Sequence, residues 1–174
     1  MRYLCQDETR LGLKTITGRL ITTCGVKPIG ETQWKRDCFW LYGVVEPLSG
    51  FSFFYEFSHL DHCCFQMFLE LLSVELGNDI GVIQLDQASA HTAQAIVCPD
   101  NIVLVFQPPH CPELNPIERV WLFLKQHLAW QNCPSLDQLR QLLASELEAI
   151  APERIASLTS YTFILDALFG AASY

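Results

Sequence analysis

The sequence predicts an α/β domain built on a mixed five-stranded sheet flanked by helices, and three observations predict it. A short apolar strand at the N-terminus is followed by two aromatic, β-branched runs separated by a turn. Two further apolar runs are joined by a connection long enough for a parallel crossover. Between and after these runs, apolar residues recur at helical spacing. With 174 residues, half of them hydrophobic and 17% charged, the chain suits one well-buried domain and does not fit a disordered or fibrous segment.

Arg2 to Asp7 is an apolar stretch that ends in acids, read as a first strand presenting Asp7 at its C-terminal end. Gly12, Gly18, Gly25 and Gly30 punctuate the basic, Thr-rich stretch that follows, which suits a long hairpin or flap. Cys38 to Val45 and Phe51 to Phe57 flank the turn Glu46-Pro47-Leu48-Ser49-Gly50 and form a hairpin beside the first strand. Ser58-x-x-Asp61 resembles a helix start, and Phe65, Phe68, Leu69, Leu72 and Leu76 carry that helix to about Gly77.

Gly81 to Leu85 and Ile102 to Phe106 are short apolar runs with a small helical or irregular piece between them, read as parallel strands. A helix begins at Asn115-Pro116, with Ile117, Val120, Trp121, Leu124 and Leu128 on one face. Ser135-x-x-Gln138 opens another, running to about Ile150. A single catalytic domain over residues 1–150 and a helical tail over 151–174 complete the expected organisation. Three antiparallel strands followed by two in crossover connection is the order of a ribonuclease-H-like domain. There the first and fourth strands lie side by side and parallel, so Asp7 and Asp86 meet at their ends.

No apolar run reaches the ~18–20 residues needed to span a bilayer, and the N-terminus lacks the apolar stretch of a secretion signal. The expectation is a cytoplasmic protein without membrane contact. The eight cysteines form no C-x-x-C pair and read as reduced core thiols rather than a disulfide framework. Net charge is −8, which by itself disfavours a nucleic-acid partner. The average hides an asymmetry, because residues 1–36 carry +4 and residues 37–174 carry −12. The basic segment, with Arg10, Lys14, Arg19, Lys27, Lys35 and Arg36, is where DNA phosphates would be contacted; a solvated basic surface without a partner is the plainer reading.

Asp7 after a strand, Asp86 after Val82-Ile83-Gln84-Leu85 and Glu118 at a helix start put three carboxylates on rigid supports. That is what a pair of divalent ions for phosphodiester chemistry requires. Each acid also has an ordinary reading: a strand-terminal Asp forms turns, and Glu118 falls at the third position of a capping box opened by Asn115. The three acting together favour catalysis over caps and turns.

Three segments, Gln6-Asp7-Glu8, Leu85-Asp86-Gln87-Ala88-Ser89-Ala90-His91 and Pro108-Pro109-His110-Cys111-Pro112-Glu113-Leu114-Asn115-Pro116-Ile117-Glu118, resemble the mariner-like insertion-sequence transposases, members of the DDE superfamily of endonucleases. The resemblance covers roughly Arg2 to Leu128. It implies metal-dependent DNA cleavage and strand transfer in cut-and-paste transposition, with Asp7, Asp86 and Glu118 as the catalytic and metal-holding triad. Mg²⁺ or Mn²⁺, as two ions, is the implied cofactor. Double-stranded DNA bearing transposon ends and a TA-containing target are the implied partners, acting on a homodimer. His91 matches a histidine near the second acid, at the substrate phosphate or orienting a ligand. With Arg119 and Lys125 it joins Arg10, Lys14, Lys35 and Arg36 as an expected DNA contact. A prokaryotic protein, at the nucleoid when bound to DNA, is also implied.

The chain departs from the family pattern in three places. Gln87 stands where Asn is usual, and His110-Cys111 replaces Tyr-Ser. Met1 lies six residues before Asp7, so the N-terminal helix-turn-helix region is expected from a separately encoded or frameshift-fused frame, or the chain is a remnant. The competing function class is a non-catalytic fragment that dimerises with or inhibits a full-length enzyme. A generic ribonuclease or junction resolvase is the enzyme alternative. Zinc held by His59, His62, Cys63 and Cys64 fails, because the adjacent cysteines point to different helix sides. A serine hydrolase on Ser89, His91 and Asp86 fails for want of a G-x-S-x-G elbow.

Overall fold

The computed structural model describes residues 1–171, and it orders five strands in one sheet as β3-β2-β1-β4-β5. β1 (Arg2–Gly12), β2 (Cys38–Val45) and β3 (Ser52–Phe57) form an antiparallel meander. β4 (Gly81–Leu85) and β5 (Ile102–Phe106) join β1 in parallel. α1 (His62–Leu76) lies between β3 and β4 in the chain, and α2 (Ile117–His127), α3 (Leu136–Ala149), α4 (Pro152–Thr159) and α5 (Thr162–Ala171) follow β5. No helix among the described residues is long and apolar enough to cross a membrane.

Strand alternation divides the core in two. Cys5 and Leu11 of β1 and Phe39, Leu41 and Val45 of β2 pack against Ile117, Val120, Trp121 and Leu124 of α2 and Leu139 and Leu143 of α3. On the other face, Leu4, Tyr42, Val44, Ile83 and Leu85 meet Phe65, Phe68, Leu69 and Leu72 of α1. Successive β1 side chains therefore serve opposite layers, and this decides where each acid of the strand points.

Several boundaries differ from those read in the sequence. β1 does not stop at Asp7. Its second half pairs with β2 from Glu8↔Tyr42 to Gly12↔Cys38, because the aromatic run of β2 needs a partner along its whole length. The flap between β1 and β2 contains no strand; the bonds Leu13 N–H to Asp37 O (3.0 Å) and Thr15 N–H to Gln33 O (3.2 Å) close its base.

α1 begins three residues later than a cap at Ser58 suggests. Asp61 is the cap, accepting from Cys64 N–H at 2.8 Å, and Gly77 ends the helix at a φ of 58° that favours glycine. Ser135 caps α3 as expected, accepting from Gln138 N–H at 3.3 Å. The expected tail is two helices, and Ile155 of α4 is buried in the α2–α3 core, so packing continues across residue 150. Residues 172–174 of that tail lie outside the described residues.

Candidate active site

β1 and β4 are in register from Arg2↔Gly81 to Cys5↔Gln84. Two residues further along both strands come Asp7 and Asp86, on the face of the sheet that looks toward α2. β4 ends at Leu85 while β1 continues, so Asp7 sits mid-strand with its β4 flank open. The sequence placed Asp7 at a strand end. The end that matters belongs to its neighbour.

α2 brings the third acid. The chain turns through a 3-10 segment, Pro112–Leu114, and enters the helix at Pro116 without any side-chain cap. Asn115 does not act as the expected N-cap. Its side chain is 2% exposed and donates Nδ2–H to the carbonyl of Gln6 at 2.8 Å, tying the start of α2 to β1 one residue before Asp7. The capping-box explanation of Glu118 therefore lacks its hydrogen bond, and the exposed Glu118 carboxylate faces the same space as the two aspartates. Asp7, Asp86 and Glu118 line one cavity of about 160 Å³, with Gln107, His110 and Asn115 on its walls.

The environment of each acid differs. Burial is the main cause that pushes the Asp7 carboxyl up to about 7, with Glu8 and Glu118 adding repulsion; a hydrogen bond from Trp121 Nε1–H to Oδ2 at 2.8 Å acts against the shift. Gly43, the β2 partner of Asp7, makes room for this indole. A Cβ there would lie 2.5 Å from a Trp121 ring carbon. Asp86 is half exposed, and its Oδ1 accepts from Ala88 N–H at 2.9 Å and from the His91 ring at 2.8 Å.

Burial and the neighbouring Glu8 and Glu118 raise the pKa of Asp7, as expected where carboxylates gather without a cation, and all-oxygen donors suit hard divalent cations. The donor set therefore fits Mg²⁺ or Mn²⁺. The spacing is open: among the described residues, no three His, Cys, Asp or Glu side chains converge closely enough to hold an ion. Glu118 is exposed on the first turn of α2, at the edge of the cavity.

The expected DNA contacts separate into groups. Arg10, Lys14, Lys35 and Arg36 line one groove of about 550 Å³ at the far end of β1, some ~10 Å of extended strand beyond Asp7. Lys14 stands 5.0 Å from the Trp34 ring centre, and Lys35 donates to the Pro134 carbonyl at 2.7 Å. Arg119 lies apart, its guanidinium 4.8 Å from the Tyr161 ring centre, and Lys125 is in the last turn of α2. Arg2, also counted in the basic segment, is committed internally to Glu46 at 2.9 Å.

His91 corrects the expectation of a DNA contact. It is 3% exposed, with both ring nitrogens engaged by Asp86 and Glu8, so it offers phosphate nothing. Burial lowers its pKa, but the bond and charge of Glu8, together with Asp86, outweigh this and raise it to about 8. Glu8, Trp121 and Gly43 are the residues that sequence reasoning did not assign to the site. The signal for Glu8 was the strand period, which sends it to the face opposite Asp7.

Residues 2–140 match the family model of the DDE superfamily endonucleases. Among solved structures, the Mos1 transposase paired-end complex with the left transposon end is similar at a TM-score of 0.71 and 16% identity, over 91% of this chain and 51% of that one. The pre-cleavage Mos1 transpososome gives 0.73 at 16% identity, over 91% and 52%. The Mos1 mariner paired end complex with Mn gives 0.70 at 16%, over 91% and 51%. At these identities the likeness is one of fold, and it is the ribonuclease-H-like fold expected from the strand order. An uncharacterized protein of Sinorhizobium fredii, y4pE/y4sA, is 40% identical over 73 residues, 39% of this chain and 53% of that protein. The chain thus spans about half the length of these relatives.

Proposed function

The chain belongs to the DDE superfamily of endonucleases, in a mariner-like transposase fold, and from that membership we propose that it is a transposase catalytic domain that cleaves and transfers DNA strands. The observation that carries this reading is the meeting of Asp7, Asp86 and Glu118, from three separate elements, around one cavity.

Asp7, Asp86 and Glu118 would hold Mg²⁺ or Mn²⁺, as two ions, which when bound would supply the positive charge that phosphoryl transfer requires. The Mos1 paired end complex with Mn supports that choice of ion. The chain's own residues do the positioning. Trp121 fixes one oxygen of Asp7, and His91 with the Ala88 amide fixes one oxygen of Asp86. Asn115 anchors the helix that carries Glu118. The groove of Arg10, Lys14, Lys35 and Arg36 holds the duplex by its phosphates. Transposon ends and a TA-containing target are the substrates of this reading. A homodimer pairs two sites with two ends, and a helix-turn-helix region supplied with this chain recognises those ends.

Incubating the purified chain with supercoiled plasmid and Mg²⁺, with EDTA as control, tests the proposal. Metal-dependent nicking is expected. A well-folded chain inert with both Mg²⁺ and Mn²⁺ would replace the proposal with the non-catalytic reading, a fragment that dimerises with or inhibits a full-length enzyme.

A further inference from the structure

Glu8 is a fourth acid beside the site, and strand alternation turns it away from the cavity that Asp7 lines, toward the α1 layer. Its side chain is 4% exposed there. A buried carboxylate without partners is costly, so the contacts it makes indicate its purpose. Oε1 accepts from Gln6 Nε2 at 2.8 Å and from the His91 ring Nε2 at 2.9 Å. The other ring nitrogen of His91 donates to Oδ1 of Asp86 at 2.8 Å, and Phe65 packs on the ring with centroids 4.4 Å apart. Both neighbours are carboxylate oxygens, which only accept, so the imidazole donates at both ends and cannot rotate without breaking two charge-assisted bonds.

The consequence appears at Asp86. Its Oδ1 takes the His91 bond and the Ala88 amide together, which leaves Oδ2 as the oxygen available to the cavity. We propose that Glu8 is a positioning residue, acting through His91 to fix Asp86 with Oδ2 presented to a divalent ion. This rests on the reading of Asp7, Asp86 and Glu118 as the ion-holding set. Partners behind a ligand of this kind typically change metal affinity by about 10–100-fold.

The test is Mn²⁺ affinity of the full chain, read from the electron paramagnetic resonance of free Mn²⁺, alongside the melting temperature without metal. Glu8→Ala and His91→Ala should each weaken Mn²⁺ binding by about 10-fold or more. The double variant should bind no more weakly than His91→Ala alone, because one residue acts through the other. A purely structural role would lower melting temperature and leave Mn²⁺ affinity of the folded protein unchanged. Should Glu8→Ala not fold, Glu8→Leu, close in size to the parent side chain but offering His91 no acceptor, carries the same comparison. Parent-like affinity in the Glu8 variants, or fully additive losses in the double variant, overturns the proposal. Asp7→Asn and Glu118→Gln separate the two readings. If they abolish Mn²⁺ binding while Glu8 variants do not alter it, only the role of Glu8 fails; if they also leave it unchanged, the ion site fails and this inference with it.

Discussion

The indole N–H of Trp121 donates to Oδ2 of Asp7 at 2.8 Å, joining the first helix after the sheet to the central strand at the acid itself. Trp121 is otherwise a core residue, 2% exposed and tilted against Phe54 at 5.8 Å. Packing and positioning are therefore carried by one side chain. Trp121→Phe keeps most of the packing and removes the donor. It should cost about 1–3 kcal/mol in stability and reduce metal-dependent cleavage, measured by chemical denaturation and plasmid nicking.

Gly43 is expected to be intolerant for a steric reason. A methyl group there meets the Trp121 ring at 2.5 Å and Phe54 at 2.8 Å, so Gly43→Ala must move one of the two rings. Destabilisation of about 1–3 kcal/mol is expected from overpacking, with Trp121 fluorescence shifted. An unchanged spectrum and melting curve would show that the indole is not held as described.

The metal-free protein should lose stability as pH rises. In the folded state the Asp7 carboxyl keeps its proton up to about 7 instead of 3.8, and the His91 ring keeps its proton to about 8 instead of 6.5. Folded protein therefore binds more protons than unfolded chain across roughly pH 4–8, and unfolding free energy falls through that window. Asp7→Asn should remove the part of the slope between about 4 and 7 and melt higher than the parent at neutral pH. A parent melting temperature that rises from pH 5 to pH 8 in EDTA would contradict this.

Aromatic and β-branched runs located β2 and β3 in the sequence, and two short apolar runs located β4 and β5, because strand composition marks them even in the edge strands, where only Phe57 of β3 and Ile102 of β5 are buried. Of the three acids proposed to hold the ions, Asp86 follows β4 and Glu118 opens α2 as the local pattern suggested, whereas Asp7 lies within β1 and its open flank is set by where β4 ends. The Asn115 tether to Gln6 spans 109 residues, and no local pattern distinguishes it from an N-cap. The burial of His91 was hidden for the same reason, since its partner Glu8 lies 83 residues away. Asp61 displaced Ser58 as the cap of α1 because both satisfy the same local rule and only packing decides between them.

Asn115→Ala separates the tether from a cap. It removes a buried donor to the Gln6 carbonyl and should cost about 1–3 kcal/mol, with loss of nicking as α2 loosens from β1. A loss of a few tenths of a kcal/mol and unchanged nicking would show that the tether matters little.

The basic groove makes a prediction about salt. Lys35→Ala combined with Arg36→Ala should weaken duplex binding and flatten its log-log salt dependence by about one unit for each phosphate that is no longer neutralised. Fluorescence anisotropy with a labelled duplex at several NaCl concentrations measures it. Identical slopes for variant and parent would exclude the groove lined by Arg10, Lys14, Lys35 and Arg36 from the DNA path.

Glu118→Gln tests the central claim most directly, because the helix start has no side-chain cap for the substitution to disturb. The amide keeps the size of the side chain and removes the charge that a divalent ion requires. Plasmid nicking in Mg²⁺ should fall by well over about 100-fold, beyond the 10–100-fold effects of residues standing behind a ligand, while the metal-free melting temperature stays at or above that of the parent. Parent-level nicking by folded Glu118→Gln protein would contradict the three-acid site.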